Sequence, residues 1–428
     1  MENYRLIEEK ELSHIGCYGR LYEHVSGAKV MHLASEDENK VFSVAFKTPP
    51  VDDTGIAHIM EHCVLAGSKK YPLKDPFMQL SNGSLYTFLN AFTYPDKTVY
   101  PIASVNDTDF LNLMDVYCDA VFFPMAYERE FALWQEGWHY QLEGGDLKYN
   151  GVVYNEMKGA FGDPYRLLYS VLDKALFADS TYRFESGGDP AAIPNIDYDY
   201  FLYFHKKHYR PENALIYFYG NMDIEHCFKK LDEDYLSKFE RVGVQIDIVP
   251  QPALDEPVFV ECEYSVTDEE DLDENYMAAN YIFSSEMTSL EAASFRVLNY
   301  ILMNTPASPL YKAMVEAEIG EDIAGQFSLD TLHPSWGVSM CNSNITTREL
   351  AAFLNEQLSK IVQEGLNIDF VNACLNFLEF QAKEEDYGSS SPKGLVYNIR
   401  VLSKWLYDKS PWEPLMGIKY LEQIRELA

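Results

Sequence analysis

Residues 244–259, "VQIDIVPQPALDEPVF", hold three prolines and show no helical period. Proline withdraws a backbone donor and pushes the residue before it out of the helical region, so the stretch reads as a linker or crossover strand. A chain of 428 residues is long for one domain. This interruption leaves two pieces of ordinary domain size, 1–245 and 246–428. With 47% hydrophobic and 24% charged residues, both can bury a core. No apolar run approaches the ~20 residues of a membrane helix. The N-terminus, "MENYRLIEEKELSHIG", is acidic and lacks an apolar stretch, so it reads as neither a secretory signal nor a transit peptide. Seven cysteines without paired spacing read as reduced thiols, and together these features predict a cytoplasmic chain. The net charge of −33 argues against nucleic acid or an anionic membrane as partner. It serves solubility, or it lines a surface that attracts cationic ligands; the sequence leaves both open.

The first piece alternates strand and helix patterns. "KVFSVAFKTPP" reads as a strand followed by a helix through "GIAHIMEHCVLAG", and "SLYTFLNAFTYPDKTVYPIAS" as two β-rich runs around a Tyr-Pro-Asp-Lys turn. "DTDFLNLMDVYCDAVFFP" has helical spacing, with Asp107 or Thr108 as its cap. "NALIYFYGNMD" reads as a buried strand. The second piece repeats the plan faintly: the strand "NYMAANYIFSS" leads through a polar loop into the helix "SLEAASFRVLNYILMN", which carries no histidine. This predicts a duplicated αβ unit with chemistry in one copy.

That chemistry sits in "TGIAHIMEHCVLAGS". His58 and His62, four residues apart, share one helix face, and Glu61 stands at its edge. Two neutral imidazoles so placed begin a zinc site, and a nearby carboxylate that does not ligate can take a proton from an attacking water. His-x-x-Glu-His is the inverse of the zinc-peptidase signature His-Glu-x-x-His. At this chain's histidine and acid content, chance supplies roughly 0.04 such patterns per chain. Ile56, Ile59, Met60, Val64 and Leu65 predict a largely buried helix, where titratable groups without partners are costly. A third ligand is needed. Glu156, in "NGVVYNEMKGAFGDPYRLLYSVL", is one candidate, although an acid near a helix start equally suits the helix dipole.

"SVAFKTPPVDDTGIAHIMEHCVLAGSKKYPLKDPF", "SLYTFLNAFTYPDKTVYPI", "LWQEGWHY", "GVVYNEMKGAFGD" and "SGGDPAAIP" resemble, in this order, the pitrilysin/insulinase family of zinc peptidases, and within it the presequence-protease branch. The likeness is dense over residues 40–220 and continues thinly through "NTPASPLYKAMVEAEIG". The resemblance implies an α+β fold of two tandem similar domains, each a largely antiparallel sheet flanked by helices. It implies one zinc ion held by His58, His62 and Glu156, with Glu61 as general base. It implies that "FLNAFT" is an edge strand onto which a peptide substrate adds. Asn90 and Ala91 would then lie beside the scissile bond, and Leu65 and Phe77 would wall an apolar pocket. From residue type alone, core packing is the plainer reading of the last two.

Members of that branch are about twice as long, with a second half that closes over the peptide and supplies an Arg and a Tyr. This chain resembles the N-terminal half, with "GIKYLEQIRELA" reading as the start of the connecting helical hairpin. The expected partners are therefore peptides, cationic ones among them, and a C-terminal half or partner chain. A catalytic endopeptidase is the leading expectation; a non-catalytic scaffold or peptide-binding subunit of the same fold is the alternative, and neither would need zinc.

Overall fold

The computed structural model describes residues 2–265, 274–384, 387 and 391–427. The chain divides into two compact units that interleave along the sequence. The first comprises Met1–Gly159, Phe184–Ile248 and Tyr387–Leu402; the second comprises Ala160–Arg183, Val249–Asp386 and Ser403–Ala428.

In the first unit, strands β1 (Tyr4–Leu12), β2 (Cys17–His24), β3 (Lys29–Ala34), β4 (Lys40–Lys47), β5 (Tyr86–Leu89), β6 (Phe92–Thr93), β7 (Lys97–Ser104) and β10 (Ala214–Gly220) form one sheet. A separate hairpin joins β8 (His139–Glu143) to β9 (Asp146–Asn150). The sheet order is β1-β2-β3-β10-β4-β7-β5, with β6 also on β7. All neighbours run antiparallel except β3 and β10. β7 and β10 are buried along their whole length, and β4 along all but Lys47. Strands buried on both faces need cover on both, which explains their near-continuous apolar sequences. On one face Phe46 meets Phe122, ring centroids 5.9 Å apart; on the other, Tyr219 packs edge-on against Tyr397 at 5.8 Å. The Tyr-Pro-Asp-Lys segment closes the turn between β6 and β7, where Tyr94 N donates to Lys97 O.

Helices α1 (Ile56–Val64), α2 (Pro76–Gly83), α3 (Asp107–Phe122), α4 (Phe131–Glu136) and α5 (Val152–Ala160) follow in this unit. The cap of α3 is neither Asp107 nor Thr108. Asn106 takes that place, its side-chain oxygen accepting from Asp109 N at 3.0 Å. Asp107 falls instead into the first turn, where its charge suits the helix dipole.

Asp115 anchors α3 to its surroundings. Its carboxylate accepts from Tyr71 Oη (2.6 Å), Tyr235 Oη (2.5 Å) and Lys70 Nζ (3.0 Å), and Lys230 Nζ lies 2.9 Å away. Burial alone would raise its pKa; the bonds from Tyr235, Tyr71, Lys230 and Lys70 outweigh that and hold it well below the usual carboxylate range.

In the second unit, β11 (Tyr276–Ile282), β12 (Glu321–Ser328) and β13 (Ser335–Cys341) make an antiparallel sheet ordered β11-β13-β12. β11 leads into the helix Ser289–Met303, which Thr288 and Glu291 open with a reciprocal capping box. Leu350 and Leu354 from Thr347–Glu364 join Val338, Met340 and Trp336 in one core. The helix Gly417–Leu427 docks within this unit: Leu421 and Ile424 pack on Val297, Ile301 and Leu375, and Arg425 pairs with Glu379 at 3.0 Å. Residues 240–265 form neither helix nor strand. No helix among the described residues is long and apolar enough to cross a membrane.

Asp115→Ala removes a carboxylate shared by four donors, although Lys70 and Lys230 keep Asp234 and Tyr235 keeps the backbone carbonyl of residue 115, and it should cost about 2–3 kcal/mol in urea unfolding at neutral pH. Because the folded-state pKa is depressed, this contribution is complete above the unfolded value of about 3.9 and is lost as pH falls below it. The gap between wild type and variant should therefore narrow steadily below pH ~4. A gap that stays constant from neutral pH down to ~2 would show that the carboxylate's charge carries none of it.

Candidate metal centre

The centre is built on α1. Ile56, Ile59, Met60, Cys63 and Val64 are buried and set the helix against α4, β6 and β7. The remaining stripe turns His58 and His62 the same way, with ring centroids 5.0 Å apart. The helix starts from Gly55, whose φ of +68° a side chain would strain. There is no room for one either: a Cβ there would come within 2.5 Å of the Gly187 carbonyl oxygen. Loop 185–189 thus lies directly on the start of α1. Asp53 pins it twice, through Glu185 N to its carboxylate and Asp189 N to its carbonyl, both at 2.8 Å.

Glu156 arrives on α5 from the far side of the β8–β9 hairpin. Gly151 makes that return tight, since a Cβ there would sit 2.1 Å from the Gly137 carbonyl oxygen. Glu156 Oε2 lies 3.8 Å from Nε2 of both His58 and His62. One ligand atom from each of the three residues falls within 4.8 Å of the others. At 3.8 Å the imidazoles and carboxylate are too far apart for hydrogen bonds. With two histidine nitrogens and one carboxylate oxygen converging, the donor set is one that a divalent transition ion takes. Glu156 is half exposed, so the centre is open to solvent on its side.

Three carboxylates surround the two imidazoles. Burial lowers the pKa of His62, but the adjacent Glu136 carboxylate and the charges of Glu61 and Glu156 outweigh it, leaving the imidazole above its ordinary value. A site so rich in negative charge fits a cation. Glu61 is itself buried, and burial pushes its carboxyl upward against the Thr93 hydrogen bond and the neighbouring imidazoles. Thr93 Oγ1 donates to Glu61 Oε2 at 2.6 Å, leaving Oε1 free of that bond.

Thr93 belongs to β6, so the rim of the sheet touches the centre directly. Among the described residues β5 and β6 pair only with β7, and residues 90–91 interrupt the ladder between them. There Asn90 is exposed and Ala91 is buried. Asn90 Oδ1 accepts from Ala91 N at 3.0 Å, and Asn90 O accepts from Tyr117 Oη at 3.2 Å. Leu65, at the end of α1, and Phe77, on α2, line one small cavity with Val64, Leu80, Val116 and Tyr117.

Four groups at the centre escaped the sequence reading: Asp53, Thr93, Glu136 and the Gly187 carbonyl. Each lies inside a quoted motif, but its role depends on where the chain returns in space.

Comparison with known proteins supports the same family. A family model described as "Insulinase (Peptidase family M16)" matches residues 49–154, and one described as "Peptidase M16 inactive domain" matches residues 195–376. Protein HypA of Clostridium perfringens is 41% identical over 427 residues, 99% of this chain and 44% of that protein. Presequence protease 1, chloroplastic/mitochondrial, of Arabidopsis thaliana is 41% identical over 433 residues, 99% of this chain and 40% of that protein. The chain thus spans less than half the length of these curated relatives. In fold it is similar to a protease from Helicobacter pylori, with a TM-score of 0.70 at 16% identity over 96% of this chain and 94% of that one. The chain belongs to peptidase family M16 and is similar in sequence to its presequence proteases.

Proposed function

We propose that this chain carries the catalytic centre of a zinc-dependent endopeptidase that cuts unstructured peptides. One observation carries the reading: His58, His62 and Glu156 converge within 4.8 Å beside the buried Glu61. The three converging residues would hold the ion, which when bound polarises a carbonyl and lowers the pKa of a water.

Glu61 serves as general base. Thr93 holds Oε2, so Oε1 takes the proton as the water oxygen attacks the peptide carbonyl carbon. The same carboxyl then returns the proton to the departing nitrogen as the C–N bond breaks. Burial favours the neutral form of Glu61, which helps it hold the proton between the two steps. The substrate backbone adds along the β5–β6 rim beside Asn90 and Ala91, which fixes it in an extended form at the centre. Leu65 and Phe77 wall a pocket for an apolar side chain. The acidic composition suits cationic peptides. No disulfide joins the seven cysteines among the described residues, in keeping with a cytoplasmic setting.

The purified chain should hold about one zinc ion, and His62→Ala or Glu156→Ala should lose it, as read by elemental analysis after dialysis. Full zinc content in either variant would remove that residue from the ligand set.

Glu61→Gln should keep the zinc and lower peptide cleavage by ~10²–10⁴-fold. The chain spans under half of its relatives' length, so we propose that the remaining part completes the catalytic chamber. Cleavage by residues 1–428 alone should be feeble, and adding the remaining part in trans should raise it. Near-normal turnover by the Glu61→Gln enzyme would refute the base role. Full activity from this chain alone would refute the need for a second half.

A further inference from the structure

The two imidazoles are braced from behind by unlike groups. Nδ1 of His58 faces the Gly187 carbonyl oxygen at 3.0 Å, and Nδ1 of His62 faces Glu136 Oε2 at 3.5 Å. A carbonyl and an ionised carboxylate only accept hydrogen bonds. A neutral imidazole carries one N–H: the Gly187 carbonyl holds that of His58 on Nδ1, and the Glu136 carboxylate beside Nδ1 of His62 favours the same tautomer there, so that both Nε2 lone pairs are left bare. Those are the atoms that face Glu156.

Both braces are built. Glu136 ends α4, its side chain is largely buried, and its other oxygen accepts from Gln135 Nε2 at 2.8 Å. The Gly187 carbonyl is immobilised by the Asp53 bonds to residues 185 and 189 and by its close approach to Gly55.

We propose that Glu136, and the loop 185–189 latched by Asp53, are positioning groups: they fix the tautomer and ring orientation of His62 and His58 so that both Nε2 atoms are ready to ligate. This rests on reading His58, His62 and Glu156 as metal ligands. Glu136 is the stronger lever, because it is a side chain and adds a negative charge behind its imidazole, raising the ring's basicity as a ligand. Asp53 acts at one remove, through a backbone carbonyl.

The test is zinc affinity, measured by competition with a chelating dye on the purified chain. Removing an outer partner of a ligating imidazole typically costs ~10–100-fold in metal affinity. Glu136→Ala should fall in that range, and Glu136→Gln, which keeps an acceptor oxygen but not the charge, should fall less. Asp53→Ala should weaken binding and Asp53→Asn should largely restore it. Glu143→Gln, on the exposed hairpin, serves as the control and should leave affinity unchanged. Cobalt(II) in place of zinc gives a second readout: the visible spectrum should shift in Glu136→Ala, reporting an altered ligand arrangement rather than a loss of fold. Thermal unfolding of the zinc-free proteins should be alike for wild type and Glu136→Gln, and that pair carries the test if the alanine variant does not fold. Wild-type zinc affinity and an unshifted cobalt spectrum in both Glu136 variants would overturn the proposal while leaving the ligand set standing. A wild-type chain that binds no zinc would overturn the ligand set and this proposal with it.

Discussion

A helix buried on its apolar side, yet carrying two imidazoles and a carboxylate on the other, cannot sit in a core without partners. Unpaired polar groups of that kind cost several kcal/mol on burial. The first unit meets this constraint group by group. Thr93 meets Glu61, the Gly187 carbonyl meets His58, Glu136 meets His62, and Glu156 faces both outer nitrogens. These partners come from four separate stretches of chain, and each return is tightened by a local device. Gly55 and Gly151 allow backbone contacts that a side chain would forbid, and Asp53 ties down a loop more than 120 residues away in sequence.

The sheet explains why the centre can be both rigid and accessible. Its middle strands, β4, β7 and β10, are buried, and they fix β7 in place. β5 and β6 hang on the outer side of β7, and no further strand among the described residues pairs beyond them. An unpaired rim is a liability in most sheets because it invites another chain to add. Here the rim touches the general-base candidate through Thr93, so a peptide that paired with it would lie at the reactive groups. Under the proposed function, the same exposed edge that risks aggregation would serve as a means of recognition.

What was legible in the sequence follows the range of the interactions involved. The His58–His62 spacing, the apolar stripe of α1, the buried run of β10 and the turn at Tyr94–Lys97 are local patterns, and the structure forms each where the pattern lies. The expected cap of α3 missed by one residue. Asp107, Thr108 and Asn106 are all chemically able to cap, and only the backbone path selects Asn106. The division into two pieces at residue 245 rests on prolines, which report local stiffness. The compact units instead exchange segments, with 160–183 in the second and 387–402 in the first. No local signal carries that exchange.

The sequence by itself determined that two imidazoles and a carboxylate share one turn of a buried helix, because helical periodicity is fixed by backbone geometry. It also determined, through several motifs in order, which family the chain resembles. Only the tertiary structure decided that Glu156 comes to face both Nε2 atoms and that Glu136 and the Gly187 carbonyl stand behind the rings. An imidazole is equally able to ligate through either nitrogen, and nothing in its neighbours along the chain chooses between them. The choice is made by acceptors that fold back from residues 136 and 187, and such contacts exist only once the sheet, its helices and their connecting loops have closed.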